Sequence, residues 1–334
     1  MSEMGTALPG YTPEDLLKTI DVSSLRMSND EAIVIRRGGA TLSQADIGKA
    51  ALGIVSPQVR ELLNSPGSGI VAIDGHFDRT QMGKISPLSH VCGMLAQALR
   101  QQSPAPFGSG SPTSPQFEKM TPRSVVLEYF CALHTLDDDD LRGPQGLIRC
   151  LTTQLILCLL ANQVIGEGDA VNLPHLRDGE EELLAQLHLD AVCRLFVALI
   201  RLVPNGTPVY CLIDGWSTYE REELWQADYN MVLNALLDAV DAEGRNSGSN
   251  FKLLLTSPTA CRWLGDFLLP EQKVSLRNRD AGGRNWRSVS RGSLIGLARA
   301  ATMSDVESGF GGGFPADEYD HAWTGEGHDR RLSG

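Results

Sequence analysis

The amino-acid sequence predicts an α/β fold in which helices cover both faces of a parallel β-sheet. Five short apolar runs are almost continuously hydrophobic and end at turn residues, as strands buried on both faces do. Helical patterns separate these runs, and strands that alternate with helices are typical of doubly wound layers. With 334 residues, of which 42% are hydrophobic, the chain is long enough to bury one sizeable core.

The five predicted strands differ in how clearly their ends are marked. The first and the third each close on an Asp-Gly pair, which ends the apolar run with a turn. The fifth is the shortest and has the weakest apolar pattern. In chain order the predicted strands are residues 69–74, 124–131, 208–214, 251–256 and 273–276.

The helices predicted between the strands are amphipathic or apolar all round. Ser86 and Pro87 mark the start of one, because serine suits the N-cap and proline suits the first turn. Another starts with three consecutive glutamates, which suit the positive end of a helix dipole. In chain order the predicted helices are residues 43–53, 87–101, 146–163, 180–203, 220–242 and 259–268.

Composition divides the chain into a folded domain and less regular segments. Residues 56–276 contain all five strands and form the predicted domain, whereas residues 1–55 are an extension with a single helical segment. Residues 103–122 contain five prolines, which predicts a disordered insert. Beyond residue 277 the hydrophobic pattern is lost, so residues 277–334 are predicted to be a disordered tail.

Charge and cysteine usage exclude several classes of function. The chain has 29 Lys+Arg against 41 Asp+Glu, a net charge of -12, which argues against nucleic-acid binding and against docking on anionic membranes. The longest apolar run, residues 155–161, is too short to span a bilayer, and the first residues lack the pattern of a secretory signal. Seven cysteines form no CxxC pair and predict a reducing, cytoplasmic location.

The segment after the first strand has the layout of a phosphate-binding loop. A strand ends near Gly75, a Gly83-Lys84 pair follows, and a helix begins at Ser86. Backbone N–H groups, the helix dipole, a lysine and a hydroxyl are the groups that hold phosphate and Mg²⁺. The spacing departs from GxxxxGK[ST], because Asp78 stands where glycine is needed and Ile85 where a hydroxyl is needed. An ordinary strand–helix loop, with Ser86 only an N-cap, is the alternative.

Two further polar residues end the third and fourth strands. Asp214 is placed to hold a Mg²⁺-bound water together with Ser86, and Thr256 is placed to sense a terminal phosphate. The acid that metal-activating ATPases usually carry directly after the first is replaced by Gly215. Turn chemistry at Asp214 and a helix cap at Thr256 are the alternatives. The candidate nucleotide-binding residues are Gly75, Gly83, Lys84, Ser86, Asp214 and Thr256, and the candidate metal ligands are Ser86 and Asp214.

The order of these motifs resembles that of the fungal NACHT-like STAND P-loop NTPases of the nephrocystin-like N-terminal type. The matching motifs are Ile70 to Gly75, Gly83-Lys84, Tyr129-Phe130-Cys131, Arg142-Gly143 with Leu147-Ile148, Leu212-Ile213-Asp214 and Thr256-Ser257. The resemblance covers about residues 56–276 and implies a sheet order of 5-1-4-3-2, with ATP or GTP and Mg²⁺ as ligands. The chain departs from that family in its stretched phosphate loop, and Pro258 replaces the arginine after Thr256-Ser257.

The resemblance and its departures lead to three hypotheses about function. The first is an intracellular regulatory or interaction module on a degenerate P-loop domain, with weak nucleotide binding and weak or no hydrolysis. The second is a scaffold that keeps the fold and binds no ligand. The third is an active NTPase with a rearranged phosphate loop. A protein partner of unknown identity is expected for the first two.

Overall fold

The computed structural model describes residues 11–22, 24–78, 83–102, 124–171, 173, 180–221, 223–241, 250–261, 267–277 and 296–297. The predicted insert at 103–122 lies outside the described residues. So does most of the predicted tail, of which only Arg277, Gly296 and Leu297 are described. Leu297 is buried in the core, so this residue departs from the predicted disorder.

The sheet confirms the predicted fold class and strand order. Its strands are β1 (Gly69–Asp74), β2 (Val125–Phe130), β3 (Pro208–Asp214), β4 (Asn250–Ser257) and β5 (Lys273–Ser275). They pair in the order β2-β3-β4-β1-β5, which is 5-1-4-3-2 counted from the other edge, and every pairing is parallel. The carboxyl ends of β1, β3 and β4 therefore meet at one edge, with Asp214 opposite Thr256.

The edge strand β2 is protected by a side chain instead of a neighbouring strand. The Gln154 side-chain amide accepts a hydrogen bond from Glu128 N–H at 2.9 Å and donates one to Glu128 O at 2.7 Å. These two bonds reproduce the pattern of a partner strand, so the exposed edge offers fewer free groups for pairing with another chain.

Nine helices occur within the described ranges. They are α1 (Pro13–Ile20), α2 (Ser24–Thr41), α3 (Gln44–Ile54), α4 (Pro57–Asn64), α5 (Pro87–Gln102), α6 (Gly143–Ala161), α7 (Glu180–Ala185), α8 (Leu189–Ile200) and α9 (Gln226–Asp241). The predicted helices at 43–53, 87–101 and 146–163 correspond to α3, α5 and α6. The helix predicted at 259–268 lies largely outside the described residues, because 262–266 are not described.

The prediction of one long helix over 180–203 is wrong. The chain forms α7 and α8 instead, because Leu187 adopts a left-handed conformation with φ 54°. Leu187 N–H donates to Leu184 O at 2.9 Å and His188 N–H donates to Leu183 O at 2.8 Å. This is the hydrogen-bond pattern of a Schellman motif, which ends α7 before α8 begins.

The helix predicted to start at residue 220 starts six residues later. Two 3₁₀ turns, Trp216–Arg221 and Glu223–Trp225, precede α9. Their aromatic side chains explain the delay, since Trp216 and Tyr219 are buried and hold this segment against the sheet. The apolar pattern that suggested helix therefore reflects burial of an irregular segment.

The N-terminal extension contains three helices where the sequence predicted one. Alternate residues of the strands point to opposite faces, and each face has its own core. One core packs against α1, α6, α8 and α9, whereas the other packs against α2, α3, α4 and α5. Helices that precede residue 56 thus form much of the second layer, and the division at residue 55 stays a prediction.

Two buried cations attach N-terminal helices to the sheet layers. Arg149 of α6 donates to Ile20 O at 3.0 and 2.8 Å and to Asp21 O at 2.8 Å, which satisfies carbonyls at the end of α1. Lys252 of β4 donates to Leu62 O at 2.8 Å and to Ser65 O, at the end of α4. Both cations therefore lie at the negative ends of helix dipoles.

One described helix, α6, is long and apolar enough to cross a membrane by length and composition. Its most apolar window has a mean hydropathy of 1.3, but 67% of that window is buried within the fold. Because α6 packs between the sheet and α8, its apolar character is that of a core helix and does not indicate membrane insertion.

Candidate functional site

Three of the predicted site residues meet in one hydrogen-bonded network at the carboxyl edge of the sheet. Asp214 Oδ1 accepts a hydrogen bond from Thr256 Oγ1 at 2.5 Å, and Asp214 Oδ2 accepts one from Ser89 Oγ at 2.6 Å. Ser86 joins the network through Ser89, with 2.9 Å between the two hydroxyl oxygens. All four side chains are buried. Both carboxylate oxygens of Asp214 are therefore occupied by hydroxyl donors of the protein itself.

Ser86 and Ser89 form a reciprocal cap at the start of α5. Ser86 N–H donates to Ser89 Oγ, and Ser89 N–H donates to Ser86 Oγ, each at 3.0 Å. Because the Ser89 proton is directed at Asp214, the Ser86 hydroxyl donates to Ser89 Oγ. The cap satisfies N–H groups that a phosphate-binding helix would turn toward its ligand.

The network determines the protonation of Asp214. Burial raises the pKa of Asp214 to about 6, although hydrogen bonds from Ser89, from Thr256 and from the Gly215 backbone oppose that rise. The carboxylate is thus ionised near neutral pH at a cost, and its charge is compensated by neutral hydroxyl and amide dipoles.

The described start of the loop after β1, residues 75–78, is held against the end of β4. Gly75 N–H donates to Ser257 O at 2.8 Å, and Phe77 N–H donates to Pro258 O at 2.9 Å, so the loop continues along the end of β4. Phe77 is buried, and a Cβ on Gly75 would lie 2.6 Å from its ring. Gly75 is therefore required for the close packing of Phe77.

Gly83 and Lys84 are exposed, and within the described residues no hydrogen bond connects them to the Asp214 network. A different lysine lies against the loop. Lys49 of α3 has its Nζ 3.5 Å from His76 O and 4.9 Å from the centre of the Phe77 ring. Sequence reasoning missed Lys49 because it lies inside a helix with no strand before it.

A second polar cluster lies beside the network at the same edge. Asp74 Oδ1 accepts a hydrogen bond from Cys261 N–H at 3.1 Å, while the Cys261 thiol donates to Glu220 Oε1 at 2.6 Å. The Tyr229 hydroxyl donates to the same Glu220 oxygen at 3.2 Å. Burial raises the pKa of Asp74, against the Cys261 backbone N–H, His76 and Lys273, and Glu220 adds to the rise. These bonds fasten the segment after β4 to the turn after β3.

The residues as arranged do not fit Mg²⁺ with nucleotide. The two oxygens of Asp214 and the Ser86 hydroxyl, which the sequence assigned to the metal, are committed to internal hydrogen bonds. No group of three or more His, Cys, Asp or Glu side chains that could hold a metal ion is found in the described part of the chain. Mg²⁺ takes about six oxygen ligands, and Asp214 and Ser86 are buried side chains that could supply only a few of them.

Comparison with known proteins identifies no relative of this chain. No protein-family model matches the chain, and neither a curated protein nor a solved structure matches it. The assignment of function therefore depends on the geometry of the carboxyl edge.

Proposed function

We propose that the chain is an intracellular regulatory or interaction module that has the strand order of a P-loop NTPase and does not hydrolyse nucleotide. The observation that carries the proposal is the closed Asp214 network, in which Ser89 and Thr256 occupy both carboxylate oxygens. The reciprocal cap at Ser86 and the buried Phe77 add to it, because each fills a place that phosphate would need. The resemblance to NACHT-like STAND domains remains part of this proposal.

An intracellular location and a protein partner belong to the same proposal. All seven cysteines are free thiols, which favours a reducing compartment. Large apolar side chains are exposed on loops that follow the strands, among them Leu136 at 55% and Leu224 at 80%. A protein partner would contact these exposed side chains.

The test is a measurement of nucleotide binding and turnover on the full chain. Calorimetric titration with ATP and with GTP, each with and without Mg²⁺, is expected to show no increase in affinity when Mg²⁺ is added. Phosphate release is expected to equal that of buffer alone. Mg²⁺-dependent hydrolysis that is lost in Asp214→Asn and kept in Lys273→Met would contradict the proposal and favour an active NTPase.

A second candidate function is weak nucleotide binding without metal. The observation that favours it is the position of Lys49 beside the loop after β1, on which the exposed Lys84 also lies. If this candidate is correct, Lys84→Ala should weaken ATP binding by about 1.5–3 kcal/mol, the scale of a hydrogen bond to a charged group. Equal affinities of wild type, Lys84→Ala and Lys49→Ala would exclude it.

A further inference from the structure

Helix α2 is held to the core at one point by a buried histidine between two carboxylates. His134 follows β2, and its Nε2 lies 2.9 Å from Asp30 Oδ2 of α2, while its Nδ1 lies 2.9 Å from Asp139 Oδ2. The imidazole stacks on Tyr129 of β2, with 4.8 Å between the ring centres. A protonated His134 donates to both carboxylates at once, whereas a neutral one can donate to only one of them.

The next residue of α2 makes a second ionic contact. Arg100 of α5 pairs with Glu31 of α2 and also with Glu128 of β2, where Nη2 lies 3.1 Å from Oε1. Burial raises the pKa of Glu31, and it raises that of Glu128 to about 7 even though Arg100 opposes both shifts. When both glutamates are ionised, one guanidinium faces two negative charges. Cys158 of α6 also faces Arg100, and burial raises the pKa of that thiol, which keeps it neutral.

A second histidine touches α2 from α5 with no carboxylate in its contact. His90 is buried, and its Nδ1 lies 3.4 Å from Val34 O. The ring packs so closely on Gly38 that a Cβ there would lie 2.8 Å from His90 atoms. Burial lowers the pKa of His90, and the backbone carbonyls of Val34 and Ile35 only partly offset that effect.

The contact between α2 and α5 is incompletely filled beside these groups. A hollow of about 500 Å³ lies along it, lined mainly by α2 residues that include Glu31 and Arg36, and by Gln97 of α5. Helix α2 also packs on α5 through apolar contacts, since Val34 is buried and a Cβ on Gly93 of α5 would lie 2.7 Å from it. The two histidines are the titratable part of this attachment.

We propose that α2 is a pH-bracketed latch, docked on the core near neutral pH and released at more acidic and at more alkaline pH. Its alkaline limit is set by His134 between Asp30 and Asp139, together with Arg100 between Glu31 and Glu128. Its acid limit is set by His90 against Val34 and Gly38. Release of α2 would uncover α5 and part of the second core, which gives the interaction module a surface whose exposure depends on pH.

The sign of each effect follows from the direction of its pKa shift. Burial by itself would lower the pKa of His134, but hydrogen bonds and charges from Asp30 and Asp139 outweigh burial and raise it. A histidine whose pKa is higher in the docked state than in the released state stabilises docking at low pH. This stabilisation is complete below the pKa of the released state and is lost as pH rises through the pKa of the docked state. The pKa of His90 is lowered by docking, so its effect is the opposite. Neutral His90 stabilises docking above the pKa of the released state, and this stabilisation is lost as pH falls through the pKa of the docked state.

Two neighbouring groups, Glu128 and Tyr129, also bear on the alkaline limit. Asp30 and Glu31 both raise the pKa of Glu128, so docking of α2 weakens further when Glu128 loses its proton above about pH 7. The pKa of Tyr129 is raised far above the range of interest by burial and by Tyr219, so the stacked phenol stays neutral throughout.

Hydrogen exchange of the full chain tests the latch. Protection of α2 amides, corrected for intrinsic exchange and divided by that of β4, should be greatest near neutral pH. We expect a severalfold fall toward about pH 5 and toward about pH 9. His134→Gln should reduce the alkaline fall and keep the acid fall, whereas His90→Gln should lose only the acid fall. The alkaline fall that remains in His134→Gln should be lost in the double variant His134→Gln/Glu128→Gln, because Glu128 supplies it. His188→Gln is the matched control, because His188 is exposed at the start of α8, and it should keep the wild-type profile.

Each alternative outcome contradicts the latch. If α2 and β4 change in parallel at every pH, α2 does not open separately. If His134→Gln retains the alkaline fall at its full wild-type size, His134 does not contribute to that limit. Should either variant fail to fold, histidine titration of the wild type by NMR decides the matter, with Asp30→Asn used for assignment. The pKa of His134 must then lie above 6.5, the ordinary value of histidine, and that of His90 below it, and the reverse order would overturn the proposal.

Discussion

The two ends of the central strands handle a buried charge in different ways. Asp214 at the carboxyl end of β3 and Lys252 near the amino end of β4 are each 2% exposed. Lys252 donates to main-chain carbonyls of Leu62, Ser65 and Gly67, which the end of α4 holds in place. Asp214 instead accepts from the side chains of Ser89 and Thr256.

The difference is between a charge held by main-chain groups and a charge held by side-chain hydroxyls. A lysine against fixed carbonyls at a helix C-terminus also interacts with the helix dipole, so its position is determined by α4 itself. Hydroxyl groups on neighbouring strands and helices can rotate, so the contacts of Asp214 depend on the orientation of the Ser89 and Thr256 side chains. The amino end is therefore expected to contribute more to stability, and the carboxyl end more to the pH dependence.

The largest expected effect is at Lys252. Lys252→Met keeps the aliphatic stem and removes the charged donor, which leaves the carbonyls of Leu62 and Ser65 buried without it. We expect the free energy of unfolding to fall by about 2–6 kcal/mol, because two buried carbonyls lose their donor at roughly 1–3 kcal/mol each. Urea denaturation provides the measurement. Lys273→Met in the short edge strand is the matched control and should cost less than about 1 kcal/mol. Similar losses in the two variants would contradict the structural role of Lys252.

Sequence patterns were sufficient for β1 to β4 because each is a nearly continuous apolar run, interrupted by Glu128 in β2 and by polar residues such as Lys252 in β4. The bounds of β1 and β3 agree with prediction, since an Asp-Gly pair ends each run. The same reasoning placed Ser86, Asp214 and Thr256 at one edge, because parallel strands share the direction of their carboxyl ends. The sequence could not show that the side chains at that edge are hydrogen-bonded to one another. Ser89 was missed because a serine three residues after Ser86 signals only a helix cap.

The N-terminal helices were missed for a different physical reason. Helix α2 contains a Gly38-Gly39 pair, which weakens its helix propensity, and Arg36 and Arg37 interrupt its apolar stripe. Its attachment depends on tertiary contacts such as His90 against Gly38, and no local pattern encodes these. Arg149 and Lys252 likewise meet helix ends more than a hundred residues away in sequence, so the second layer could be recognised only from the structure.

A smaller effect is expected for the charge of Asp214, and it depends on pH. The pKa of Asp214 is raised from 3.8 to about 6 by burial, so the folded state binds the proton more tightly than the unfolded state. Stability therefore falls as pH rises through this range, by roughly 3 kcal/mol between about pH 4 and pH 7 from this group. Asp214→Asn should lack this part of the pH dependence in thermal or urea unfolding.

The stability curve of Asp214→Asn must be compared with that of the wild type, because Glu128 and Asp74 also have raised pKa values. These groups contribute equally to wild type and variant, so the difference between the two curves isolates Asp214. Parallel curves would mean that Asp214 is ionised without cost. The carboxyl end would then resemble the amino end in having a fully compensated charge.

The smallest expected effect is at a single hydroxyl of the network. Thr256→Val keeps the shape of the side chain and removes the donor to Asp214 Oδ1, whereas Thr256→Ser keeps the donor and removes a methyl group. At neutral pH we expect Thr256→Val to cost about 1–3 kcal/mol, the price of leaving a buried acceptor unsatisfied. Thr256→Ser should cost less, because its loss is one buried methyl group.

The hydrogen bond from Thr256 lowers the pKa of Asp214, so Thr256→Val should raise that pKa further and move the fall in stability to higher pH. Near pH 4, where Asp214 is protonated in the folded state, the difference between the valine and serine variants should shrink. A difference that stayed constant from acid to neutral pH would show that Thr256 acts through packing, and the contrast between the two ends of the sheet would then not depend on how Asp214 is hydrogen-bonded.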